Sequence, residues 1–360
     1  MIPGHATAAG TARVAAANPA CYREFAGLSL STVGMGTYLG DQDDATDRLV
    51  EAAVARSLGA GVNVVDTAAN YRGQRAERSV GRALAAGGGV PRDGVFVSTK
   101  GGYLSADSES GADFWAYVKK EFTDPGIVRE GDVAPTYHCM SPAYLRDQLD
   151  RSLANLGLDC IDLLYLHNPA EGQLQARGME ALHSMIHDAF CMYEEERKRG
   201  RIAHYGIATW DSLRVPPSDP RHLSLEEVVS IARRAGGRDH GLRFVQLPLN
   251  MYSGEALLQR TQVAGGREVT ALEAAGSLGL GVFTSAPFMQ GRLLAPGTMP
   301  EFGDLPPAQR ALQFLRSVPG VLAPLAGHKS PAHVEENLRL MGMPPMTPGE
   351  ADDLVRRLVS

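Results

Sequence analysis

The feature that most limits how this chain can fold is a regular alternation of short apolar runs with amphipathic stretches. Runs such as Val62–Val65 and Val95–Thr99 are typical of buried strands, and each is followed by apolar residues at helical spacing. Strands that alternate with helices pair in parallel through right-handed crossovers. Eight such units most simply close into a (β/α)8 TIM barrel of the α/β class. An open, doubly wound parallel sheet is the alternative.

Length and composition agree with one domain of this kind. The chain has 360 residues, 44% of them apolar and 21% charged, which is enough for a sizeable core. We expect a flexible Ala/Gly-rich leader over residues 1–20, one barrel domain over 21–345 and a helical tail over 346–360. Residues 101–140, after the third strand, hold scattered aromatic residues without a periodic pattern. This segment is predicted to be a long loop insertion that forms a lid or pocket wall.

Charge and cysteine usage narrow the class of protein. The formal net charge of −6 argues against a nucleic-acid partner and against binding to an anionic membrane surface. The four cysteines show no CxxC spacing, which is typical of a reduced cytoplasmic setting. No stretch approaches the roughly 18 apolar residues that a membrane span needs. The sequence does not indicate an oligomeric state.

Three apolar runs end on ionisable side chains, namely Asp66, Lys100 and His167, and Tyr71 follows shortly after the first. A carboxylate at the end of a buried strand is costly unless a partner compensates it. Taken alone, Asp66 would be better explained as a helix cap, and Tyr71 as a half-buried aromatic residue. Because the carboxyl ends of barrel strands meet at one face, the coincidence of the three strand ends instead predicts a single active site.

Two glycine-containing segments are candidates for binding phosphate. Residues 33–40, VGMGTYLG, give GxGxxxG rather than the GxGxxG dinucleotide fingerprint, and no helix opens directly on them. They fit better as the end of a first barrel strand, where glycine lets a ligand approach the backbone. After the last strand the chain turns through Gly327, and Ser330-Pro331 begins a helix whose free N–H groups lie beside Lys329. An ordinary capped helix with a surface lysine is the alternative there.

Eight short motifs follow one another along the chain: GMGTY, DTAANY, VSTK, LLYLH, the strand leading to GIATW, FVQLPLN, APFMQGRL and GHKSPAHVEENL. In this order they resemble successive motifs of the aldo-keto reductases, over roughly residues 28–340. The resemblance implies a cytoplasmic oxidoreductase that uses NADP, with NAD as the alternative, on a small-molecule aldehyde, ketone or sugar lactol. It implies that the catalytic residues are Asp66, Tyr71, Lys100 and His167, and that no metal is needed.

The same resemblance implies how a nicotinamide dinucleotide would lie across the barrel mouth, with its adenosine end at the last helix. The implied cofactor contacts are Gly36, Thr37, Thr209, Gln246, Ser285, Pro287, Phe288, Gln290, Gly327, Lys329, Ser330, Glu336 and Asn337. The candidate substrate contacts, from aromatic residues near the expected mouth, are Tyr38, Trp115, Tyr137 and Trp210.

The chemistry of carbonyl reduction fits the four catalytic candidates independently. Hydride transfer leaves an alkoxide that must receive a proton, and a tyrosine with a pKa near 10 is a donor of the right kind but a poor acid. The ammonium of Lys100 would lower the pKa of Tyr71, while Asp66 would keep the lysine charged. His167 can donate a hydrogen bond that orients the carbonyl oxygen.

Three positions depart from the family pattern. Ala208-Thr209 replaces the usual Ser-Asn pair that holds the nicotinamide amide, so Thr209 and Gln246 would carry that contact. Ser285 stands where many members have a stacking tyrosine, which is closer to the sugar and aldose dehydrogenase branch. Lys329 replaces a common arginine for the 2′-phosphate and lacks its planar guanidinium fork.

Two further functions remain open from the sequence. The barrel could bind cofactor as a sensor or auxiliary subunit with little turnover, or Lys100 could act as a Schiff-base amine in an aldolase or isomerase.

His183 and His187 lie four residues apart, as zinc ligands do, but the glutamate of HExxH is missing. They are better explained as part of an exposed helix face, and we expect no metal site.

Overall fold

The computed structural model describes residues 1–87, 89–300 and 302–359. The strands are β1 Tyr22–Phe25, β2 Leu28–Ser31, β3 Gly34–Gly36, β4 Val64–Asp66, β5 Phe96–Gly101, β6 Val133–Ala134, β7 His138–Cys139, β8 Ile161–His167, β9 Ile202–Ala208, β10 Leu242–Pro248, β11 Gln262–Ala264, β12 Arg267–Val269, β13 Gly281–Ser285 and β14 Val321–Gly327. The helices are α1 Ala8–Ala15, α2 Asp44–Gly59, α3 Arg75–Ala85, α4 Phe114–Val118, α5 Pro142–Leu156, α6 Pro169–Arg177, α7 Met179–Lys198, α8 Leu225–Gly236, α9 Glu255–Leu258, α10 Ala271–Ser277, α11 Pro307–Ser317, α12 Pro331–Leu338 and α13 Pro348–Val359.

Eight of these strands close into a parallel barrel, in the order β10-β13-β14-β3-β4-β5-β8-β9. The first barrel strand pairs with the last, with Gly34 opposite Leu325, so the sheet has no free edge. The predicted α/β barrel is therefore confirmed, and the open doubly wound sheet is wrong. Inward-facing side chains fill the barrel, with the rings of Phe244 and Phe283 stacked at 5.7 Å. The interior is thus a packed core, and a ligand site must lie at its mouth.

Local sequence signals explain where the outer helices begin and end. Asp43 caps α2, since its side chain accepts a hydrogen bond from the Thr46 N–H at 2.7 Å. Helix α5 begins as predicted after Ser141, with Pro142 in its first turn, and ends at Gly157, whose φ of 66° suits glycine. In the described ranges, no helix combines the length and apolar character that crossing a bilayer requires.

The first 20 residues do not form the flexible leader that their composition suggested. The Ile2 N–H donates to the Gly157 carbonyl at 2.6 Å, and the Ala6 N–H donates to the Asp162 carboxylate at 2.5 Å. Helix α1 packs so closely on the turn before β5 that a side chain at Gly10 would overlap the backbone of Asp93. Small residues therefore permit close packing here, and together with the β1–β2 hairpin the segment covers the amino-terminal end of the barrel.

The segment between β5 and α5 is folded, although the sequence shows no periodicity there. It contains α4, a π-helical turn over Lys119–Thr123 and the antiparallel β6–β7 pair. It also has a small core, in which Leu104, Tyr117, Val118, Phe122, Val128 and Cys139 pack with Tyr144 of α5. Helix α6 is likewise not indicated by the sequence pattern, because PAEGQLQAR holds a single large apolar residue, Leu174.

Candidate active site

The carboxyl ends of β4, β5 and β8 bring the predicted catalytic residues together. Asp66 is the last residue of β4, and His167 is the last residue of β8. Lys100 lies in β5 between these strands, and its backbone is paired with Tyr165 of β8. Tyr71 lies in the turn after β4, with its ring centroid 4.8 Å from the Lys100 ammonium. The parallel register thus places all four side chains at one end of the barrel.

Lys100 and Asp66 form a buried ion pair. The Lys100 Nζ lies 2.5 Å from Asp66 Oδ2 and donates to the Thr67 carbonyl at 2.8 Å. The other carboxylate oxygen accepts from Ser98 Oγ at 2.7 Å and from Gln246 Nε2 at 2.9 Å. Burial lowers the pKa of Lys100, but the Asp66 carboxylate and the Tyr71 hydroxyl outweigh it and leave that pKa raised. The lysine is therefore held as a cation beneath Tyr71.

Opposing effects act on the Tyr71 hydroxyl. Burial raises the pKa of Tyr71, whereas the Lys100 ammonium lowers it, and the net direction is upward. The sequence predicted only the lowering by Lys100, because burial of this side chain could not be known. Tyr71 is consequently a protonated hydroxyl at neutral pH, and the cation below it would stabilise a tyrosinate if the proton left.

His167 is a neutral imidazole beside Tyr71. The two ring centroids are 6.2 Å apart. Burial is the main cause that lowers the pKa of His167 well below its ordinary value, and the Lys100 charge adds to it. A neutral imidazole carries one N–H and can donate one hydrogen bond without supplying a charge.

A cavity of about 810 Å³ opens above these residues and extends toward α12. Its lining includes most of the implied cofactor contacts: Gly36, Thr37, Thr209, Gln246, Ser285, Pro287, Phe288, Gln290, Gly327, Glu336 and Asn337. As far as the chain is described, Lys329 and Ser330 do not line the cavity, and both are partly buried beside it. The Lys329 stem runs along Gly40, where a Cβ would lie 3.5 Å from its Cε.

Three polar atoms in the cavity lining are buried with no hydrogen-bond partner in the described part of the chain. They are Asn70 Oδ1 and Thr209 Oγ1, near the predicted catalytic residues, and Asn337 Oδ1, at the α12 end. Buried polar groups are normally satisfied, so such atoms suggest that a ligand completes them. The amide nitrogen of Asn337 is occupied by His328, whose ring also contacts Ser57. Burial lowers the pKa of His328 to about 4, which keeps this ring neutral.

Comparison with known proteins identifies the family. The family model "Aldo/keto reductase family" matches residues 32–216, just over half of the chain. The chain belongs to the aldo/keto reductase family.

Individual relatives are more distant. An "Aldo-keto reductase" of Mycolicibacterium paratuberculosis is 30% identical over 165 residues, covering 46% of this chain and 41% of that protein. A "D-threo-aldose 1-dehydrogenase" of Pseudomonas sp is 30% identical over 191 residues, 51% of each chain. The chain thus matches only about half the length of these curated relatives, or less. A solved aldo/keto reductase from Klebsiella pneumoniae, in complex with NADP and acetate, has a TM-score of 0.61 at 20% identity, covering 94% of this chain and 95% of its own.

In this aldo/keto reductase, the four candidate substrate contacts fall into two groups. Tyr38 and Trp210 line the cavity and are about half exposed there. Trp115 and Tyr137 are absent from the cavity lining as far as the chain is described; their rings pack together at 5.4 Å on the outer surface, beside Phe114. Aromatic composition alone could not show which way these side chains face, and the structure does not bring Trp115 and Tyr137 into the described cavity lining.

Three other residues line the cavity near Tyr71 and His167 and were not predicted: Asn70, Tyr103 and Asn168. Asn70 and Asn168 are sequence neighbours of Tyr71 and His167, a proximity that could have identified them. Asn168 holds a φ of 50° and donates to the Tyr103 hydroxyl at 3.2 Å. Tyr103 follows two glycines in an aperiodic segment, and its sequence gives no comparable signal.

The loop after β13 contains residues with unusual backbone conformations beside the cavity. Ser285 lines the cavity, and the following Ala286 and nearby Gln290 hold left-handed φ values of 53° and 56°. Such strained residues concentrate at ligand sites.

His183 and His187 lie partly buried on α7. In the ranges that the structure covers, no group of three His, Cys, Asp or Glu side chains could hold a metal ion.

Proposed function

We propose that this aldo/keto reductase transfers a hydride between a nicotinamide dinucleotide and the carbonyl carbon of a small molecule, with Tyr71 as the proton donor or acceptor. The observation that carries the proposal is the buried Asp66–Lys100 pair directly beneath Tyr71, at the floor of a large cavity. A buried, hydrogen-bonded ion pair that touches a single cavity-lining hydroxyl is arranged to tune a proton donor.

The residues present fit a nicotinamide dinucleotide, which supplies the hydride when bound. Thr209 Oγ1 is free to contact the carboxamide, whereas Gln246 donates one amide hydrogen to Asp66 and so links that contact to the ion pair. At the other end, Asn337 Oδ1 and Glu336 would meet the adenine. Lys329 and Ser330 lie at the rim, where they would meet a 2′-phosphate. The solved Klebsiella pneumoniae relative with bound NADP supports this choice, and NAD is the alternative cofactor.

The proton step uses only this chain's own groups. As negative charge develops on the carbonyl oxygen, the Tyr71 hydroxyl transfers its proton to that oxygen. The Lys100 ammonium stabilises the resulting tyrosinate, and Asp66 holds the ammonium in place through the 2.5 Å contact. The neutral His167 donates a hydrogen bond to the same substrate oxygen and thereby aligns the carbonyl.

The substrate we propose is an aldehyde, a ketone or a sugar lactol. Tyr38 and Trp210 provide aromatic walls for it, and Asn70 and Asn168 provide amide groups at the same end. The similarity to a D-threo-aldose 1-dehydrogenase over half of the chain, together with Ser285, favours a sugar-like substrate. Turnover of a panel of aldehydes, ketones and sugars, followed by the absorbance of reduced nicotinamide, tests this choice directly.

Replacement of Tyr71 by Phe tests the mechanism. We expect Tyr71→Phe to lower kcat by about 10²- to 10⁴-fold, because it removes the proton donor and leaves the cavity shape unchanged. The dissociation constant for NADPH, measured by fluorescence titration, should stay unchanged. Tyr193→Phe is the matched control, because Tyr193 is fully buried on α7, does not belong to the described cavity lining, and its hydroxyl has no hydrogen-bond partner in the described part of the chain. Full activity in Tyr71→Phe would rule out the mechanism.

A second candidate function is a cofactor-binding sensor or auxiliary subunit. The observation that favours it is Ala208, which cannot donate a side-chain hydrogen bond to the nicotinamide amide. Tight binding of NADPH without turnover across the whole panel would support this function. A Schiff-base role for Lys100 is disfavoured, because its Nζ is fully buried and committed to Asp66 and Thr67.

A further inference from the structure

A second histidine lies buried behind His167, in the segment between β5 and α5, which carries none of the four proposed catalytic residues. His138, in β7, is fully buried, and Gln173 Nε2 donates to the His138 Nδ1 at 3.0 Å and to the His138 backbone carbonyl at 2.9 Å. Because Nδ1 accepts this hydrogen bond, the ring proton must be on Nε2. That Nε2 lies 2.6 Å from the His167 carbonyl oxygen and donates to it. The neutral His138 ring is therefore held at both nitrogens and donates a hydrogen bond to the backbone of His167.

The space around the His138 ring is shaped by two glycines. A methyl group on Gly172 would overlap the ring, and one on Gly102 would lie 2.6 Å from its Nε2. The segment that carries His138 is also fastened to α6, since Thr136 Oγ1 donates to the Gly172 carbonyl at 2.7 Å. Arg177 donates to the Gly131 carbonyl at the other end of the same segment. The ring thus occupies a slot with little freedom to move.

The His138 ring reaches the cavity only through other residues. Tyr103 stands edge-on to both imidazoles, with ring centroids 4.9 Å from His138 and 5.1 Å from His167. Tyr103 and His167 line the cavity, and Asn168 joins them through its bond to the Tyr103 hydroxyl. One buried ring therefore contacts both the backbone of the proposed carbonyl-orienting residue and the aromatic wall beside it.

We propose that His138 is a positioning residue, which fixes the His167 backbone and the Tyr103 ring so that His167 meets the substrate carbonyl in line with Tyr71. The inference rests on the proposed function for the role of His167. Geometry of this kind matters for rate, because misplacing a catalytic group by about 1 Å can cost about 10²-fold. Substrate orientation is then set partly by the segment between β5 and α5, which folds against α6.

Three variants test this role. His138→Phe keeps a ring of similar size and removes both nitrogens, and His138→Gln keeps an N–H that can reach the His167 carbonyl. Gln173→Leu removes the donor to Nδ1 and serves if His138→Phe does not fold. The control is His204→Phe, since His204 in β9 is another histidine whose pKa is lowered to about 4 by burial, and it packs on Phe244 away from the mouth.

We expect His138→Phe to lower kcat by about 10- to 100-fold, with the NADPH dissociation constant unchanged and kcat/KM falling in parallel. His138→Gln should recover most of the rate, Gln173→Leu should lose part of it, and His204→Phe should keep the full rate. An unchanged kcat in folded His138→Phe, whatever its Tm, contradicts the inference. So does an equal loss in His138→Gln, because the donor would then be irrelevant.

An NMR measurement separates this inference from the proposed function. The imidazole signals of His167, assigned with a His167→Gln variant, should shift and broaden in His138→Phe and stay unchanged in His204→Phe. If the wild-type protein reduced no carbonyl, the proposed function would fail, while the His167 signals would still report whether His138 positions that ring. Unchanged His167 signals in an active enzyme would overturn the inference alone.

Discussion

The Lys100–Asp66 pair allows a quantitative prediction, because both partners are almost completely buried. Lys100→Met keeps the length of the side chain and removes the ammonium that lies 2.5 Å from the carboxylate. Asp66 would retain its hydrogen bonds from Ser98 and Gln246, but its buried charge would lose the cation that compensates it. Breaking a buried ion pair from one side typically costs about 3–5 kcal/mol. We expect a loss of this size in the free energy of unfolding.

The loss converts into a shift of Tm. Unfolding entropy near 60 °C is about 2.1 cal/mol/K per residue, so a chain of 360 residues changes its Tm by about 1.3 °C per kcal/mol. Lys100→Met should therefore melt about 4–7 °C below the wild type. The double variant Asp66→Asn/Lys100→Met contains no uncompensated charge, and its Tm should lie about 2–3 °C above that of Lys100→Met alone.

Calorimetry of the wild type, both single variants and the double variant gives the complete cycle. Equal Tm values for Lys100→Met and the double variant would refute the reasoning, because the cost would then come from lost packing. None of the three variants should retain activity near the wild-type rate, since each removes part of the arrangement beneath Tyr71. The cycle thus measures the stability of the pair separately from its proposed role in catalysis.

Two further predictions concern the tryptophans and the response to acid. Trp210 lines the cavity, and Trp115 does not belong to its described lining. Trp210→Phe should therefore abolish most of the change in tryptophan fluorescence when NADPH binds, whereas Trp115→Phe should preserve it. The reverse outcome would place the ligand elsewhere. Burial lowers the pKa of His138, His204 and His328 from about 6.5 to about 4. The unfolded chain therefore takes up these protons first, and stability should fall between pH 6.5 and 4 by up to about 3 kcal/mol for each histidine. A Tm that stays constant across this range, in a pH series of thermal melts, would contradict the assignment.

The barrel, and the meeting of Asp66, Lys100 and His167 at one end of it, were predictable because both depend on local patterns. Asp66 and His167 each end an apolar run, and the parallel register alone brings such ends together. Glycine and proline positions gave the helix boundaries, as at Ser141-Pro142 and Gly157. These signals act over a few residues, so they can be read from one sequence without knowledge of the rest of the fold.

The remaining features depend on packing between residues far apart in the chain, which produces no periodic pattern in the sequence. His138 contacts residues 167 and 173 from an aperiodic segment, and the outward direction of Trp115 follows from its packing on Phe114 and Tyr137. The α1 segment resembled a flexible leader because its small residues are the ones that permit close approach to Asp93. The upward pKa of Tyr71 likewise depends on burial, a property of the folded chain.

Closure of the barrel between β3 and β14 has a consequence for how the protein is made. The region that the family model matches ends at residue 216 and contains only β3, β4, β5, β8 and β9 of the barrel. As the ribosome extends the chain, these five strands keep two unpaired edges until β10, β13 and β14 emerge. The proposed cofactor contacts Gln246, Ser285 and Asn337 are also translated after residue 216, so on this proposal a nascent chain binds the nicotinamide dinucleotide only when synthesis is nearly complete. A truncation after residue 216 should therefore yield an aggregation-prone fragment that binds no nicotinamide dinucleotide.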